Sequence, residues 1–333
     1  MLITHPDFNR LNESEVLVQI ERWLRVLTLS PLTAAFMDDP DITALNDAEY
    51  LNQLKQRFLD KLLLNPLRCF MSIYHHDYRY NEHGTAIIHA CKEASIPLSN
   101  KASVHHDHAN ISNQLTWEQA RIFVATIFDF MRSASFQRFQ HDRQYQEKQN
   151  LLKLHDYCEK IHRKYSKVLV IRIDLAYLKS GRHLVNISTV YSHLYQLLKK
   201  KDLGSKPFEG LIGYVWAIEQ GADKGYHIHC AFYFNGQKHQ RDSYIAYHIG
   251  ILWRTITGNQ GTFYNCNKHK KKYRYLGIGM IHRNDDTAVN HSISAVAYLA
   301  RPEKTDQYLR VRPKKNARTF ATGLCHIEGA KPF

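Results

Sequence analysis

The stretch AIEQGADKGYHIHCAFYF, residues 217–234, decides the fold of the second half of the chain. Two apolar segments rich in β-branched and aromatic residues flank GADKG (221–225), whose composition is typical of a turn. The sequence therefore predicts a β-hairpin with strands over 211–220 and 226–235. Its second strand carries His-Ile-His in an otherwise apolar setting, which indicates that the two imidazoles have a specific role.

Alternation along a strand predicts which of these side chains share a face. Residues i and i+2 point the same way, so His227 and His229 project together while Ile228 points to the opposite, core side. The hairpin folds Glu219 back beside them, giving two imidazoles and one carboxylate. No thiolate accompanies them, which argues against structural zinc, and the mixed set favours Mn²⁺ or Mg²⁺ acting as a Lewis acid. The alternative is a chance pair, since the chain has 21 histidines.

The surrounding segments predict an α+β domain over 166–333. KVLVIRIDLAY (167–177) alternates as a strand and places Arg172 and Asp174 on one face, where Asp174 is a candidate partner for a ligating histidine. The predicted order is β-α-β-β-α-β-β-α, an antiparallel sheet with flanking helices. Residues 1–165 instead show helical periodicity throughout, and we expect a helical domain there. Its predicted helices cover 14–29, capped by Ser14, 47–64, and one or two helices from Thr116, which with Gln119 forms a capping box.

The charge of the chain is unevenly distributed. The formal net charge is +14, but residues 1–165 hold 19 basic and 20 acidic side chains, while residues 166–333 hold 26 and 11. Such a localised excess favours a polyanionic partner, most commonly nucleic acid, over a solvated basic face. Two segments concentrate cations that could neutralise phosphates. Residues 267–275 contain five Lys/Arg and two tyrosines, and residues 310–318 contain five more Lys/Arg. The candidate DNA contacts are Lys268, Lys270, Lys271, Lys272, Tyr273, Arg274, Arg310, Arg312, Lys314, Lys315 and Arg318.

Other patterns limit the possible classes. No apolar run approaches the roughly 18 residues of a membrane span, and the first residues show no signal pattern. The six cysteines are scattered without C-x-x-C, as in a reduced, cytoplasmic protein. No P-loop is present, so unwinding of DNA would need another protein. The histidine-rich stretches at 74–78 and 105–108 favour surface loops.

The hairpin motif E-x7-H-I-H resembles that of the HUH endonuclease superfamily, which comprises rolling-circle replication initiators, relaxases and related transposases. The segment YLARPEKTDQYLRVRPKKNARTFATG (298–323) is similar to filamentous-phage (inovirus) gene II-type replication proteins, including the YagK/YfjJ C-terminal domain. The resemblance covers roughly 165–325. It implies an HUH-type domain in which Glu219, His227 and His229 hold the metal.

The resemblance also implies a reaction. Tyr298 matches the nucleophilic tyrosine of the superfamily, and Arg301 stands where its lysine is usual, with Lys304 further along. The expected activity is nicking of single-stranded or extruded origin DNA through a 5′-phosphotyrosine, leaving a 3′-OH for rolling-circle replication with a host helicase. Alternatives are a non-catalytic DNA-binding regulator with the same fold, or a relaxase or transposase. Rival tyrosines are Tyr191, Tyr195 and Tyr308.

Overall fold

The structure is a computed structural model that describes residues 11–29, 33, 49, 53, 55, 58–98, 115–300 and 307–323. Within these residues, no helix combines the length and the apolar character that crossing a bilayer requires. Eight of the 18 residues in the predicted helix over 47–64 lie outside the described residues, as do the histidines at 105–108, Arg301 and Lys304.

The chain divides into two compact units, and the division is not the one predicted at 165. The N-terminal unit comprises residues 1–141 and 310–315, and the sheet unit comprises residues 142–309 and 316–333. The division falls within a helix, Ala134–Lys164, that periodicity alone assigned to the helical half. Leu154, Tyr157 and Ile161 of this helix are buried in the core of the sheet unit, which moves the boundary upstream.

The N-terminal unit is mainly helical among its described residues. Its first helix begins after Asn12, whose side chain accepts a hydrogen bond from the Glu15 amide, so that Asn12 is the cap. The prediction that Ser14 caps this helix was wrong, because Ser14 lies inside the helix and is buried. The capping box of Thr116 and Gln119 is confirmed. The elements are α1 (Glu13–Leu29), a π-helical turn (Leu59–Leu64), α2 (Asn65–Ile73), β1 (Arg79–Tyr80), α3 (Glu82–Glu93), α4 (Trp117–Arg132) and the start of α5 (Ala134–Lys164).

The short segment 310–315 returns to the N-terminal unit by two kinds of contact. Its strand β7 (Val311–Arg312) pairs antiparallel with β1. Arg310, in the same segment, donates from Nε to Glu21 Oε2 of α1 at 2.7 Å, and both side chains are buried. This ion pair anchors the segment in the unit, because either charge left alone at such a site would be costly.

The sheet unit has the predicted α+β architecture with an antiparallel sheet. Strand order is β5-β2-β4-β3-β8, and β6 pairs with the same edge of β2 as β5 does. The last strand, β8, was not predicted; it is three residues long and pairs with β3. The elements are β2 (Lys167–Tyr177), α6 (Ile187–Asp202), β3 (Leu211–Gly221), β4 (Gly225–Asn235), α7 (Asp242–Ile256), β5 (Gly261–Asn265), β6 (Gly279–His282), α8 (Asp286–Ala297) and β8 (Phe320–Thr322).

Helices cover both faces of this sheet. On one face, alternate residues of β2, β3 and β4 pack with α5 and α8, for example Val170 and Tyr233 with Ile161 and Val296. On the other face, α7 contributes Trp253, whose indole N–H donates to the Ala176 carbonyl. Burial of apolar side chains on both faces explains why the strands read as continuous apolar runs. The face covered by α5 and α8 is the one that carries the candidate site.

Candidate metal centre and adjoining cleft

The α5/α8 face of the sheet changes from apolar to polar along its strands. On β2, Val168 and Val170 are followed on the same face by Arg172 and Asp174. Asp174 lies directly opposite His229 of the neighbouring strand β4. A patch of polar side chains therefore lies at the end of the sheet next to the β3–β4 turn, where the covering helices leave the face open.

Glu219, His227 and His229 meet in this patch, as alternation and the hairpin predict. Glu219 and His227 are directly opposed across the β3–β4 ladder. Glu219 Oε2 lies 3.0 Å from His229 Nε2 and 3.4 Å from His227 Nε2. All three side chains are buried, and their donor atoms lie within 4.8 Å of one another. This spacing suits three ligands of one small cation.

Each histidine is held by a second contact through its other ring nitrogen. His227 Nδ1 is 3.1 Å from the Gly225 carbonyl, and His229 Nδ1 is 2.6 Å from Asp174 Oδ1. Both partners are acceptors, so each Nδ1 carries the proton and each Nε2 turns towards Glu219. A carboxylate behind a histidine in this way fixes its orientation for a metal. The proposed partnership of Asp174 with a site histidine is thus borne out as a contact.

The electrostatics of the cluster reflect this arrangement. Burial alone lowers the pKa of His229, but its hydrogen bonds to Asp174 and Glu219, and their charges, raise it above its usual value overall. Burial raises the pKa of Asp174, and the bond to His229 together with the charges of His229 and Arg172 lowers it overall. These contacts favour a doubly protonated His229 that donates from Nδ1 to Asp174 and from Nε2 to Glu219, and a cation bound at Nε2 would displace the proton there.

One further observation indicates that Glu219, His227 and His229 can hold a divalent cation. His227 Nε2 is buried and makes no hydrogen bond among the described residues, although it lies beside Glu219. An unpartnered nitrogen in such a site is costly unless a ligand satisfies it. A donor set of two imidazole nitrogens and one carboxylate oxygen is acceptable to Mn²⁺, whereas Mg²⁺ prefers oxygen donors more strongly.

A cleft of about 450 Å³ adjoins the cluster. His229 and Asp174 form part of its wall, together with Arg172 from β2 and Tyr298 from the end of α8. The remaining lining residues come mainly from the loop after β5 and from α8; they are Lys224, Tyr273, Arg274, Tyr275, His291, Ser294, Ala295 and Gln307. Cations and aromatic rings around one opening form a surface that suits a nucleotide.

Tyr298 lies in this cleft and is accessible. The α-helix ends at Ala297, and Tyr298 begins a 3₁₀ turn that ends at Ala300. Its side chain is 41% exposed, and the Arg172 guanidinium lies 5.1 Å from the ring centroid. Tyr298 is therefore not a buried core aromatic, which was the alternative to a functional role.

The rival tyrosines do not line the cleft. Tyr191 donates to the Arg318 carbonyl from α6, and Tyr195 of the same helix is 67% exposed. Tyr308 has the Arg143 guanidinium 4.0 Å from its ring centroid. Of the four tyrosines that the sequence offers as nucleophiles, Tyr298 is the one that lines this cleft together with His229.

The basic segment after β5 divides into two groups of residues. Lys268, Lys271, Lys272 and Arg274 are exposed, as a DNA-contacting loop requires. Lys270 instead forms an ion pair with Asp242, whose carboxylate also accepts from Asn267. Lys270 therefore holds the loop in place, and its predicted role as a free DNA contact needs correction.

Two aromatic groups lie beside these cations. Tyr273 reaches the cleft, and burial together with its hydrogen bond to Cys266 raises the pKa of its phenol above the usual range. Tyr264 and His269 stack with centroids 5.0 Å apart, with Lys272 5.7 Å from the Tyr264 centroid. This pair could not be predicted from the sequence, because Tyr264 lies near the end of β5 and meets His269 only once the following turn folds.

The loop approaches α8 very closely at Gly277. A Cβ atom at this position would lie 2.1 Å from the His291 carbonyl oxygen. Only glycine allows the two backbones to meet at this distance. The contact fixes the segment that carries Tyr273 and Tyr275 against the helix that carries Tyr298.

The second basic segment, 310–318, belongs to two units and has mixed accessibility. Arg310 is only 3% exposed and is paired with Glu21, so its predicted DNA contact was wrong: the side chain is part of the core of the N-terminal unit. Arg312 is half-buried in β7. Lys314, Lys315 and Arg318 are exposed and remain candidates.

The histidines at 74–78 occupy the connection between α2 and β1. His75, His76 and Asp77 place donor atoms within 4.8 Å of one another, but they are half-buried or exposed. Exposed groups of this kind commonly occur without an ion, which agrees with the surface loop expected there.

Comparison with known families identifies one family to which the chain belongs. Residues 132–316, more than half of the sequence, match the YagK/YfjJ C-terminal domain. The chain therefore belongs to this family. No curated protein and no solved structure matches it. The matched range begins at Arg132, the last residue of α4, and covers the sheet unit from its start at residue 142 to residue 309.

Proposed function

We propose that the sheet unit is a metal-dependent enzyme that nicks single-stranded DNA and initiates rolling-circle replication. The observation that carries the proposal is that His229, a member of the candidate metal cluster, and Tyr298 line one cleft. A phenol and a metal-ligand set facing the same cavity are the two groups that a tyrosine-dependent phosphodiester transfer needs.

Glu219, His227 and His229 would hold the cation, with Asp174 orienting His229 from behind. When bound, Mn²⁺ or Mg²⁺ would act as a Lewis acid toward a phosphate oxygen of the substrate. The unpartnered Nε2 of His227 supports this assignment, because it provides a lone pair that nothing else among the described residues uses.

Tyr298 would attack the scissile phosphorus. A bond forms between its phenolic oxygen and phosphorus while the bond from phosphorus to the 3′ oxygen breaks, and the phenolic proton leaves as the 3′ oxygen gains one. The products are a 5′-phosphotyrosine and a free 3′-OH that can prime synthesis. Since a phenol with a pKa near 10 is a weak nucleophile at neutral pH, nearby positive charge is needed. Arg301, outside the described residues, keeps its proposed role as such a cation.

The exposed cations after β5 would bind the DNA backbone. Arg274 lines the cleft together with Tyr273 and Tyr275, and Lys268, Lys271 and Lys272 are exposed in the same segment, so phosphates and unpaired bases would both find partners. The phosphotyrosine ester retains the energy of the broken bond for rejoining the strand. A separate helicase would unwind the duplex, because the chain has no P-loop.

A denaturing gel tests the proposal. The protein is incubated with Mn²⁺ and labelled single-stranded fragments that tile the DNA element encoding it. We expect a covalent protein–DNA adduct for the wild type and for Tyr195→Phe, which removes an exposed hydroxyl outside the cleft. We expect none for Tyr298→Phe or His229→Ala. An adduct that persists in Tyr298→Phe would refute the assignment of the nucleophile.

A DNA-binding regulator without cleavage is the second candidate. It is favoured by the hydrogen bonds at both ring nitrogens of His229, since a protonated His229 between Asp174 and Glu219 is satisfied without any metal. In that case the cluster would be a structural ion network. Binding of the single-stranded fragments with no adduct on any of them, with or without Mn²⁺, would select this candidate.

A further inference from the structure

We propose that Arg172 is the phosphate-binding cation of the cleft, in contact with the strand beside Tyr298. Arg172 shares a face of β2 with Asp174, and none of the roles proposed above involves it. The inference deepens the proposed function and rests on it for the identity of the ligand, a phosphate oxygen of single-stranded DNA.

The first argument is the burial of a charge that has no close ion pair. Arg172 is 7% exposed; its charge acts on Asp174, two residues along the same strand, but no carboxylate lies within 4 Å of its guanidinium in the described part of the chain. Its Nε is buried and has no hydrogen-bond partner there, and Nη1 makes one long contact of 3.4 Å to the Ala295 carbonyl. A buried guanidinium with unused donors is costly, and an anion that enters the cleft would satisfy it.

The second argument is position. Arg172 lines the same cleft as His229 and Tyr298, and its guanidinium lies 5.1 Å from the Tyr298 ring centroid. A phosphate within reach of the phenol would therefore also be within reach of this cation. Arginine suits the task, because its planar fork of donors matches two phosphate oxygens at once.

The third argument is that the backbone holds Arg172 rigidly. Its amide donates to Asn267 Oδ1, and Asn267 donates in turn to the Val170 carbonyl and to Asp242. The backbone of β2 at Arg172 is therefore held on both edges, by β4 on one side and by Asn267 of the loop after β5 on the other. A preorganised donor costs less conformational entropy on binding than a lysine on a loop.

Binding without metal tests the inference independently of cleavage. Fluorescence anisotropy with a mixed-sequence single-stranded oligonucleotide in EDTA should give at least a tenfold weaker affinity for Arg172→Gln, as expected for a charge-assisted hydrogen bond. Arg172→Lys should fall between Arg172→Gln and the wild type. The matched control Arg254→Gln removes an exposed arginine of α7 and should stay within about twofold of the wild type.

A measurement on the wild type guards against misfolded variants. The Nε–H signal of Arg172 in a proton–nitrogen spectrum, assigned by its loss in Arg172→Lys, should shift when inorganic phosphate or the oligonucleotide is added. An unmoved signal, or an affinity of folded Arg172→Gln within twofold of the wild type, would overturn the inference. Adduct formation by the wild type would then still support nicking, whereas an absent adduct with a strong Arg172 effect would refute nicking alone.

Discussion

At the scale of single residues, Asp174 shows how a side chain that is not itself a candidate ligand can orient one in the candidate metal site. Its carboxylate accepts from His229 Nδ1 at 2.6 Å and so directs Nε2 towards Glu219. Substitution by asparagine keeps the shape but removes the charge and permits the wrong ring tautomer. The substitution should therefore change the affinity for metal more than it changes the free energy of unfolding.

We predict that Asp174→Asn weakens Mn²⁺ binding about 10- to 100-fold, the usual cost of losing such a partner. Calorimetric titration of the metal into wild type and variant measures it. Asp202→Asn, an exposed acid at the end of α6, is the matched control and should leave the affinity unchanged. Equal affinities for wild type and Asp174→Asn would remove Asp174 from the site.

His162 gives a prediction about pH. It is buried between α5 and α8, 3.1 Å from the Ser292 hydroxyl, and burial lowers its pKa from 6.5 to about 4. The folded state therefore binds this proton less readily than the unfolded state, so the stabilisation is complete above about pH 6.5 and is lost as the pH falls towards 4. Between pH 7 and 5 the loss amounts to about 2 kcal/mol.

Urea unfolding at pH 7 and pH 5 measures this term by comparison with His162→Gln. The wild type should lose about 2 kcal/mol more than the variant over this interval. His155→Gln, on the exposed side of the same helix, should behave like the wild type. An identical pH dependence in wild type and His162→Gln would contradict the assignment.

Much of the site could be predicted at this scale, and one cause explains what could not. Strand alternation and a turn composition suffice to bring Glu219, His227 and His229 together, because both are local rules. The burial of Arg172 and of Arg310 depends on which distant segment covers them. Nothing near either residue in the sequence distinguishes an exposed arginine from a buried one.

At the scale of elements, the β3–β4 hairpin positions the cluster through its turn. Gly225 has φ of +64°, a left-handed conformation, and its carbonyl accepts from His227 Nδ1. Gly221, its partner across the ladder, has no such requirement, and a Cβ there would meet only His227 Cε1 at 3.8 Å. The two glycines thus form a matched pair with different expected tolerance.

We predict that Gly225→Ala lowers the free energy of unfolding by about 1 kcal/mol, from the strain of a left-handed alanine. It should also weaken Mn²⁺ binding, since the Gly225 carbonyl orients His227. Gly221→Ala should change both quantities little. Denaturant titration and calorimetry give the two numbers, and equal behaviour of the two variants would contradict this account of the turn.

Element boundaries were predicted less well than element types. The sequence left open whether the region after Thr116 forms one helix or two; it forms two, α4 and α5, and the predicted domain boundary falls near the end of α5 because periodicity changes there. The structure places the boundary inside it, since only its second half carries the apolar residues that cover the sheet. The strands β7 and β8 were missed because they are two and three residues long and depend on distant partners.

At the scale of the whole molecule, accessibility divides the basic residues into two functional groups. Lys271 and Lys272 are exposed after β5, whereas Arg310 is buried with Glu21 in the N-terminal unit. The net charge of +14 therefore overstates the number of cations that can meet a phosphate. Loss of an exposed lysine should act on binding, and loss of the buried arginine should act on folding.

We predict that the double variant Lys271→Gln/Lys272→Gln reduces the salt dependence of single-stranded DNA binding by between about 0.7 and 1.4 in log–log slope, with stability unchanged. Arg310→Gln should instead lower the free energy of unfolding by up to about 3 kcal/mol, because it removes the buried cation beside Glu21 and leaves the more exposed Arg25 to balance that carboxylate. Anisotropy at several salt concentrations and urea titration separate the two effects. A reduced slope in folded Arg310→Gln would contradict the division.

The most direct test of the central claim maps the covalent bond. Protein that has reacted with single-stranded DNA in Mn²⁺ is digested with nuclease and trypsin, and the modified peptide is sequenced by mass spectrometry. The account predicts a nucleotide on Tyr298 alone, formed only when Glu219, His227 and His229 are all present. A nucleotide on Tyr191, Tyr195 or Tyr308, or one that forms equally well in EDTA, would contradict it.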